Sequence, residues 1–262
     1  MFGRARVFEP GRDAILAFCA EDPVERVYLE DAARRGLGRF LALAGKDRLA
    51  ALCHVGANVV PAGAGCDAFA PAVRRARARM IIGEERAVAE LWQRLGSRMP
   101  APRLDRPGQP VYVLDEPPGP GGTGLREAAP SDLDLLVPAC AAAHEDEIGI
   151  DPLVEDPDGF RWRTRAQIGE GRSWIWAENG TILFKAEASA WTPHAVQLQQ
   201  VWVDPAARGR GLARRGMRDL CRMLLERVPR VCLFVRAENA PAIRVYEAIG
   251  MRRTISYRSL IF

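Results

Sequence analysis

The chain has 262 residues, 48% of them hydrophobic and 27% charged, with a formal net charge of +4. That composition excludes a disordered chain and leaves room for one large or two modest folded domains. The charge is too small to argue for a nucleic-acid partner, no run of ~18 apolar residues could span a membrane, and residues 1–8 lack the apolar stretch of a secretory leader, so a cytoplasmic protein is expected.

Six cysteines (Cys19, Cys53, Cys66, Cys140, Cys221, Cys232) are scattered without C-x-x-C pairs or histidines at metal-ligand spacing. They read as small apolar residues of a reducing compartment, and no metal site is expected. The net charge hides a polarised chain: residues 1–120 carry 18 basic and 15 acidic side chains, residues 121–190 carry 6 and 13, and residues 191–262 carry 13 and 5. An acidic block followed by a basic one favours ligands of opposite sign within one unit. Only Lys46 and Lys185 are lysines, against 35 arginines.

In the first half, residues 22–35 have helical periodicity, 40–43 and 49–54 flank Gly45-Lys46-Asp47 as a hairpin, and 58–61 is a further strand. His54, in an apolar strand, reads as a core histidine. Residues 68–79 predict a helix with Asp67 as its N-cap; Arg74, Arg75, Arg77 and Arg79 form its solvated face rather than a nucleic-acid patch. A strand over 80–82, a helix over 84–95 and a strand over 111–114 follow. The run Glu116-Pro117-Pro118-Gly119-Pro120-Gly121-Gly122-Thr123-Gly124 can continue neither helix nor strand, and is the expected linker between units 1–115 and 125–262.

Ser131 is the expected N-cap of a helix over 132–144, with Leu133, Leu136, Val137 and Cys140 at helical spacing. An acidic loop, 145–158, holds seven carboxylates in fourteen residues, ahead of a helix over 159–169. Residues 173–177 and 182–188 form a hairpin over Glu178-Asn179-Gly180, and Lys185 and Glu187 share one face of its second strand. A strand over 195–203 ends at Pro205, which removes a ladder donor. Arg208-Gly209-Arg210-Gly211 then leads into an apolar-periodic run, 212–228. Two glycines there let backbone N–H groups turn inward at a helix start, an anion nest suited to a pyrophosphate, unless they serve only to turn the chain. A Rossmann nucleotide site is disfavoured, since the third glycine and a well-placed ribose-binding acid are missing. A strand over 231–235 precedes Asn239-x-x-Ala242-x-x-x-Tyr246-x-x-x-Gly250-Met251, with Ala242 and Tyr246 on one helix face and Gly250 as the helix stop. The two halves share one coarse order of elements, which points to tandem duplication. The first copy has glycines but no arginine at 61–67, and Asp67 there would repel a phosphate.

In these last two motifs the chain resembles the GNAT superfamily of N-acetyltransferases. The family carries Arg or Gln-x-x-Gly-x-Gly or Ala after a strand ending in Val-x-Pro, which residues 208–213 fit. Its second signature, Asn-x-x-Ala-x-x-x-Tyr-x-x-x-Gly-Phe, is met by residues 239–251 with Met251 in place of Phe. The resemblance covers roughly residues 125–262, in the layout of two-domain bacterial members with a degenerate first domain of unknown function; mycothiol-synthase-like tandem members are a second likeness. It implies an α/β (α+β) fold of tandem acetyltransferase-like domains, each a mixed, mostly antiparallel twisted sheet flanked by helices. It also implies acetyl-CoA as cofactor, bound by Val201, Val203, Arg208, Gly209, Arg210, Gly211, Leu212, Ala213, Asn239, Ala242 and Tyr246. In the family the far end of the 195–203 strand splays from its neighbour, the pantetheine arm pairs with residues about 199–203, and one backbone N–H there meets the thioester oxygen.

The chemistry implied is direct attack of an amine on the acetyl thioester, with Tyr246 protonating the leaving thiolate; a packed core tyrosine is the alternative. Some members carry a strand glutamate as base where this sequence has Gln197. Glu147 or Glu187, directly or through water, or His144, then become candidates, with helix capping the alternative for His144. Lys185 with Glu187 is expected as a proton-handling or acceptor-positioning pair facing the cleft, tolerant of Lys185→Arg in stability; an exposed strand lysine is the plainer account. The acidic block implies a cationic amine acceptor. Neither nucleic acid nor membrane is expected as a partner, and the oligomeric state is left open. The function expected is acetyl transfer from acetyl-CoA to a primary amine. A non-catalytic acyl-coenzyme A sensor or partner-binding module is the alternative, favoured by Gln197.

Overall fold

The computed structural model describes residues 6–76 and 78–262. Residues 1–5, within the stretch read for a leader, and Arg77 of the basic cluster lie outside them. The first half runs β1 (Val7–Phe8), α1 (Arg12–Glu21), α2 (Val27–Arg35), β2 (Arg39–Ala44), β3 (Leu49–Val55), β4 (Asn58–Gly63), α3 (Ala70–Val73), β5 (Met80–Glu84), α4 (Glu85–Leu95) and β6 (Leu104–Leu114). The second runs β7 (Arg126–Glu127), α5 (Leu133–Ile148), α6 (Pro152–Glu155), α7 (Pro157–Gly169), β8 (Ser173–Glu178), β9 (Thr181–Trp191), β10 (Val196–Val203), α8 (Leu212–Leu225), β11 (Val231–Phe234), α9 (Ala240–Ala248) and β12 (Arg252–Ile261).

Among the described residues, twelve strands form one sheet in the order β1-β2-β3-β4-β5-β12-β6-β11-β10-β9-β8-β7. The order is symmetric about its centre, and the closing strands are exchanged. β12 pairs with β5 of the first half, while β6 pairs with β11 of the second, and the two run antiparallel side by side. Every pairing is antiparallel except β4 with β5 and β10 with β11. The architecture is therefore mixed and mostly antiparallel, as expected, but the two halves share a single sheet instead of owning one each. Strand β12, the closing strand that the shared order of elements implies, had no range in the sequence reading.

Several local expectations are corrected. The helix over 22–35 begins only at Val27: Asp22 precedes Pro23, which pushes it out of the helical region, and it ends the unanticipated α1 instead. The helix over 68–79 shrinks to a 3-10 turn, Cys66–Phe69, and the four-residue α3, because after Val73 no described side chain is buried in the core until Ile81. Asp67 is not the N-cap; Gly65, left-handed at φ +84°, holds that position. Ser131 does not cap either, since the Asp132 carboxylate accepts from Ala129 N at 2.7 Å and pairs with Arg126 at 2.6 and 2.8 Å. The acidic loop is largely helical: α5 continues through Glu147, and the Asp151 and Asp156 side chains cap α6 and α7.

The Asn179-Gly180 turn between β8 and β9 forms with both residues at positive φ, the geometry that matches strand twist. Apolar residues on one face of β8 to β11 pack with α8 and α9 around Trp174, Phe184 and Leu220, while α5 and α7 cover the opposite face. Each fully buried side chain of this size contributes about 1.5–3 kcal/mol. Residues 118–123 lie along α8, with Gly121 N and Thr123 N donating to Asp219 at 2.6 and 2.8 Å, and Arg222 donating to the Pro118 carbonyl at 2.9 Å. Across the halves, the buried Arg172 grips Asp31 of α2 at 2.8 and 3.2 Å. No helix among the described residues is long and apolar enough to cross a membrane.

Candidate active site

Strands β10 and β11 pair only at Val196–Val231 and Gln197–Cys232 and then part. Just past that point β10 bulges. Gln199 faces Glu187 and Trp202 faces Lys185, so two residues of β10, Gln200 and Val201, stand against one of β9. Gln200 takes φ +52°, an uncommon value for a non-glycine residue that turns the strand end and frees backbone groups from the ladder. Val201 and Val203 lie at and just past the bulge, half-buried; Val203 still pairs with Phe184 of β9, while neither pairs with β11. The splay expected beside residues 199–203 is thus present, with a bulge at its corner.

The loop after β10 is fixed by Asp204, whose carboxylate accepts from Ala206 N at 3.0 Å. Gly209 and Gly211 both adopt left-handed backbone, φ +78° and +75°, and a Cβ at either would meet nothing within 4 Å. No side chain caps α8. The N–H groups of its first turn, from Leu212 and Ala213 onward, have no intrahelical acceptors and carry the positive end of the helix dipole. Arg210 is exposed beside them. Arg208 is engaged, donating to the Val203 carbonyl at 3.1 Å and to Asp146 of α5 at 2.7 Å. Asn239 is the N-cap of α9, its Oδ1 accepting from Ala242 N at 3.2 Å. The equivalent loop of the first half differs: Gly65 N and Cys66 N donate to the Glu90 carboxylate at 2.8 and 3.1 Å, so an internal acid already fills that nest.

Tyr246 is buried on α9, its ring centroid 6.0 Å from that of Tyr112 on the exchanged β6. Burial pushes the Tyr246 phenol far above its ordinary value, and the nearby Glu147 charge pushes the same way, so the hydroxyl keeps its proton at neutral pH. Glu147 is held from two sides. Gln200 Nε2 donates to its carboxylate at 3.1 Å, and Arg106 of β6 donates to its carbonyl at 2.5 Å. His144 lies one turn inside α5 rather than at its end, half-buried, and burial lowers its pKa.

Lys185 is not an exposed strand lysine. It is 0% exposed, its Nζ 2.6 Å from Glu187 and 3.0 Å from Cys140 Sγ of α5, while Cys140 also donates to Glu187 at 3.2 Å. The expected pair forms, yet as a buried three-residue knot under α5, opposite the bulge, and not on an open wall. Burial works hardest against the ammonium, but the charges and hydrogen bonds of Glu187 and Cys140 together outweigh it and raise its pKa, so Lys185 stays charged. Gln197 is buried and donates to Ser189 Oγ at 2.9 Å. Sequence reasoning missed Cys140 as a polar partner, Gln200 as the bulge residue, and Arg106 and Tyr112. The last two reach the site only because β6 is exchanged, and no local pattern marks that.

Residues 141–251 match the Acetyltransferase (GNAT) family, and residues 38–136 match a domain of unknown function, DUF4081. A mycothiol acetyltransferase of Nocardioides sp. is 33% identical over 130 residues, 44% of this chain and 44% of that protein, so the match spans under half of the relative's length. A GCN5-related N-acetyltransferase from Sphaerobacter thermophilus has a similar fold at a TM-score of 0.60 with 18% identity, covering 98% of this chain and 95% of that one. A tandem GNAT protein from the clavulanic acid biosynthesis pathway aligns at a TM-score of 0.56 with 13% identity, over 98% of each chain. The parted strands β10 and β11 and the glycine-turned start of α8 all lie within residues 141–251, the stretch that matches the GNAT acetyltransferase family.

Proposed function

We propose that the second half transfers an acyl group, acetyl by preference, from acetyl-CoA to a primary amine. The observation that carries this reading is the parted strand pair β10/β11 lying against the glycine-turned, uncapped start of α8. The residues fit coenzyme A. Backbone N–H groups from Gly209 to Ala213 suit its pyrophosphate, with Arg208 and Arg210 at the rim and the loosened edge from Val201 to Val203 free to pair with its arm. Bound there, the cofactor supplies the activated thioester. A β10 backbone N–H then stabilises the developing oxyanion, an effect of ~3 kcal/mol when preorganised.

Tyr246, kept protonated by burial, gives its proton to the leaving thiolate. Of the two acids expected as base, Glu147 fits better: its charge acts on Tyr246, and Gln200 orients it at the corner of the splay. Glu187 is committed to Lys185 and Cys140. The knot is therefore a positioning element that holds β9 and α5 against the bulge. The acidic segment 145–158 draws in a cationic amine, and the likeness to a mycothiol acetyltransferase supports acetyl transfer in general. The functional division at residues 116–124 belongs to the same proposal, with β6 and β12 crossing it.

A thiol-release assay over a broad amine panel tests the reading. Turnover with at least one amine is expected. Gln197, a carboxamide bonded to Ser189 where a strand acid would serve as base, favours a second reading, an acyl-coenzyme A sensor. Tight acetyl-CoA binding without thiol release would select it, and absence of binding would defeat both.

A further inference from the structure

The last turn of α5 carries Glu145, Asp146 and Glu147 and no basic residue, so three carboxylates sit at the negative end of the helix dipole. Among the described residues, Asp146 alone of the three is in an ion pair, with Arg208 at 2.7 Å. A local conflict of this kind is expected where a site overrides folding preference, and it needs compensation from elsewhere.

The compensation comes from the other half of the chain. β6 outlasts β11: its residues 111–114 pair with both β11 and β12, while its start, from Leu104, pairs with β12 alone. There it reaches the end of α5. Arg106 donates to the Glu147 carbonyl at 2.5 Å, and Arg103 donates to the Ile148 carbonyl at 3.2 Å. Both carbonyls belong to the last four of α5, which have no donor within the helix, and a cation suits that end of the dipole.

Arg106 is half-buried on a firmly held stretch. Its neighbour Asp105 is gripped by Arg258 of β12 at 2.6 and 2.9 Å, and Gly108 N donates to Glu85 of α4 at 3.2 Å. Burial lowers the pKa of the guanidinium and the Glu147 charge acts the other way, so the two charges stand within range of each other while Arg106 stays protonated. The arginine takes the Glu147 carbonyl and not its carboxylate, which accepts from Gln200 Nε2 of the bulge at 3.1 Å. The same strand carries Tyr112, whose ring centroid lies 6.0 Å from that of Tyr246. One strand of the first half thus reaches both the base and the acid of the reaction.

We propose that Arg106 is a positioning residue for the acyl transfer, carried to the site by the exchange of β6: by holding the last turn of α5 through the Glu147 carbonyl, it keeps the Glu147 carboxylate at the parted strands. The first half is then a working part of the active site. This assignment rests on the acyl-transfer reading above. Without Arg106 the acidic last turn loosens, and a misplacement of ~1 Å costs up to about 10²-fold in rate.

Thiol release is measured for the intact chain, Arg106→Gln, Glu147→Gln and the double variant. Arg106→Gln lowers kcat by about tenfold or more, while acetyl-CoA affinity by calorimetry is unchanged because the α8 loop is untouched. In the Glu147→Gln background the same substitution lowers kcat no further, since the group that Arg106 positions is gone; a merely structural arginine loses the same factor in both backgrounds. Should Arg106→Gln fail to fold by circular dichroism, Arg106→Met, which keeps the apolar stem, takes its place in the cycle. The assignment is overturned if removing Arg106 leaves kcat at the wild-type value, or if the two losses multiply. A wild-type chain without thiol release over the amine panel overturns the acyl-transfer reading and the assignment together, whereas wild-type turnover with multiplying losses overturns the assignment alone.

Discussion

Removing one partner of the Lys185–Glu187 pair is the sharpest test of the arrangement under α5. Lys185 is 0% exposed, and its ammonium has two polar neighbours, Glu187 at 2.6 Å and Cys140 at 3.0 Å. Lys185→Met leaves the Glu187 carboxylate buried with only the Cys140 thiol and a long contact from Gln199, at 3.5 Å. Breaking a buried pair in this way costs about 3–5 kcal/mol, because the surviving charge keeps its desolvation penalty and loses its compensation. At ~2.1 cal/mol/K per residue over this length, that is a fall in Tm of about 5–9 °C. Glu187→Gln costs a comparable amount. The double variant Lys185→Met/Glu187→Met leaves no orphan charge, so it loses far less than the sum, with a coupling of roughly 2 kcal/mol or more in a double-mutant cycle read by urea denaturation. Full burial also revises the expectation for Lys185→Arg: the larger guanidinium overpacks the site, costing about 1–3 kcal/mol where an exposed lysine would have shown almost none. Single losses below ~1 kcal/mol with additive behaviour would refute the reasoning, since a solvated pair alone behaves so.

Gly211→Asp introduces a charge at the α8 nest without a clash, since its Cβ direction is open and Asp tolerates left-handed backbone; coenzyme A affinity falls at least about tenfold, and an unchanged affinity by calorimetry would remove that loop from the site. Glu147→Gln lowers kcat by about 10²-fold or more with little change in acetyl-CoA affinity, and near-normal turnover would return the base to another group. Neutralising Asp151 as well, by Asn so that the α6 cap survives, raises the acceptor KM, with an effect that shrinks in high salt; an anionic best substrate would contradict the acidic entrance. Burial lowers the His54 pKa, so below about pH 6.5 the unfolded chain takes up a proton that the folded chain resists; stability is full above that pH and declines as the pH falls through it. His54→Gln flattens that decline in a pH series of melting curves, and parallel curves would exclude His54 as its source.

The parts of this protein legible in its sequence are those set by local chemistry. The Asn179-Gly180 turn and the glycines of the α8 loop each need a particular backbone angle, and few residues supply it. Apolar periodicity located β8 to β11 and α8 for the same reason, since burial on one face leaves a repeat. Other features were decided by residues far apart in the chain. The exchange of β6 and β12, which brings Arg106 and Tyr112 beside Glu147 and Tyr246, depends on which strand edges meet, and one edge offers the same backbone donors and acceptors as another. The start of α2 and the end of α3 turn on a proline and on where the core stops, so periodicity misjudged them. Lys185 shows the division most plainly. Its rarity and its spacing from Glu187 were visible in the sequence, but a strand alternates its faces without saying what covers them. Only the packing of α5, with Cys140 set against the pair, made it a buried charge and not an exposed one.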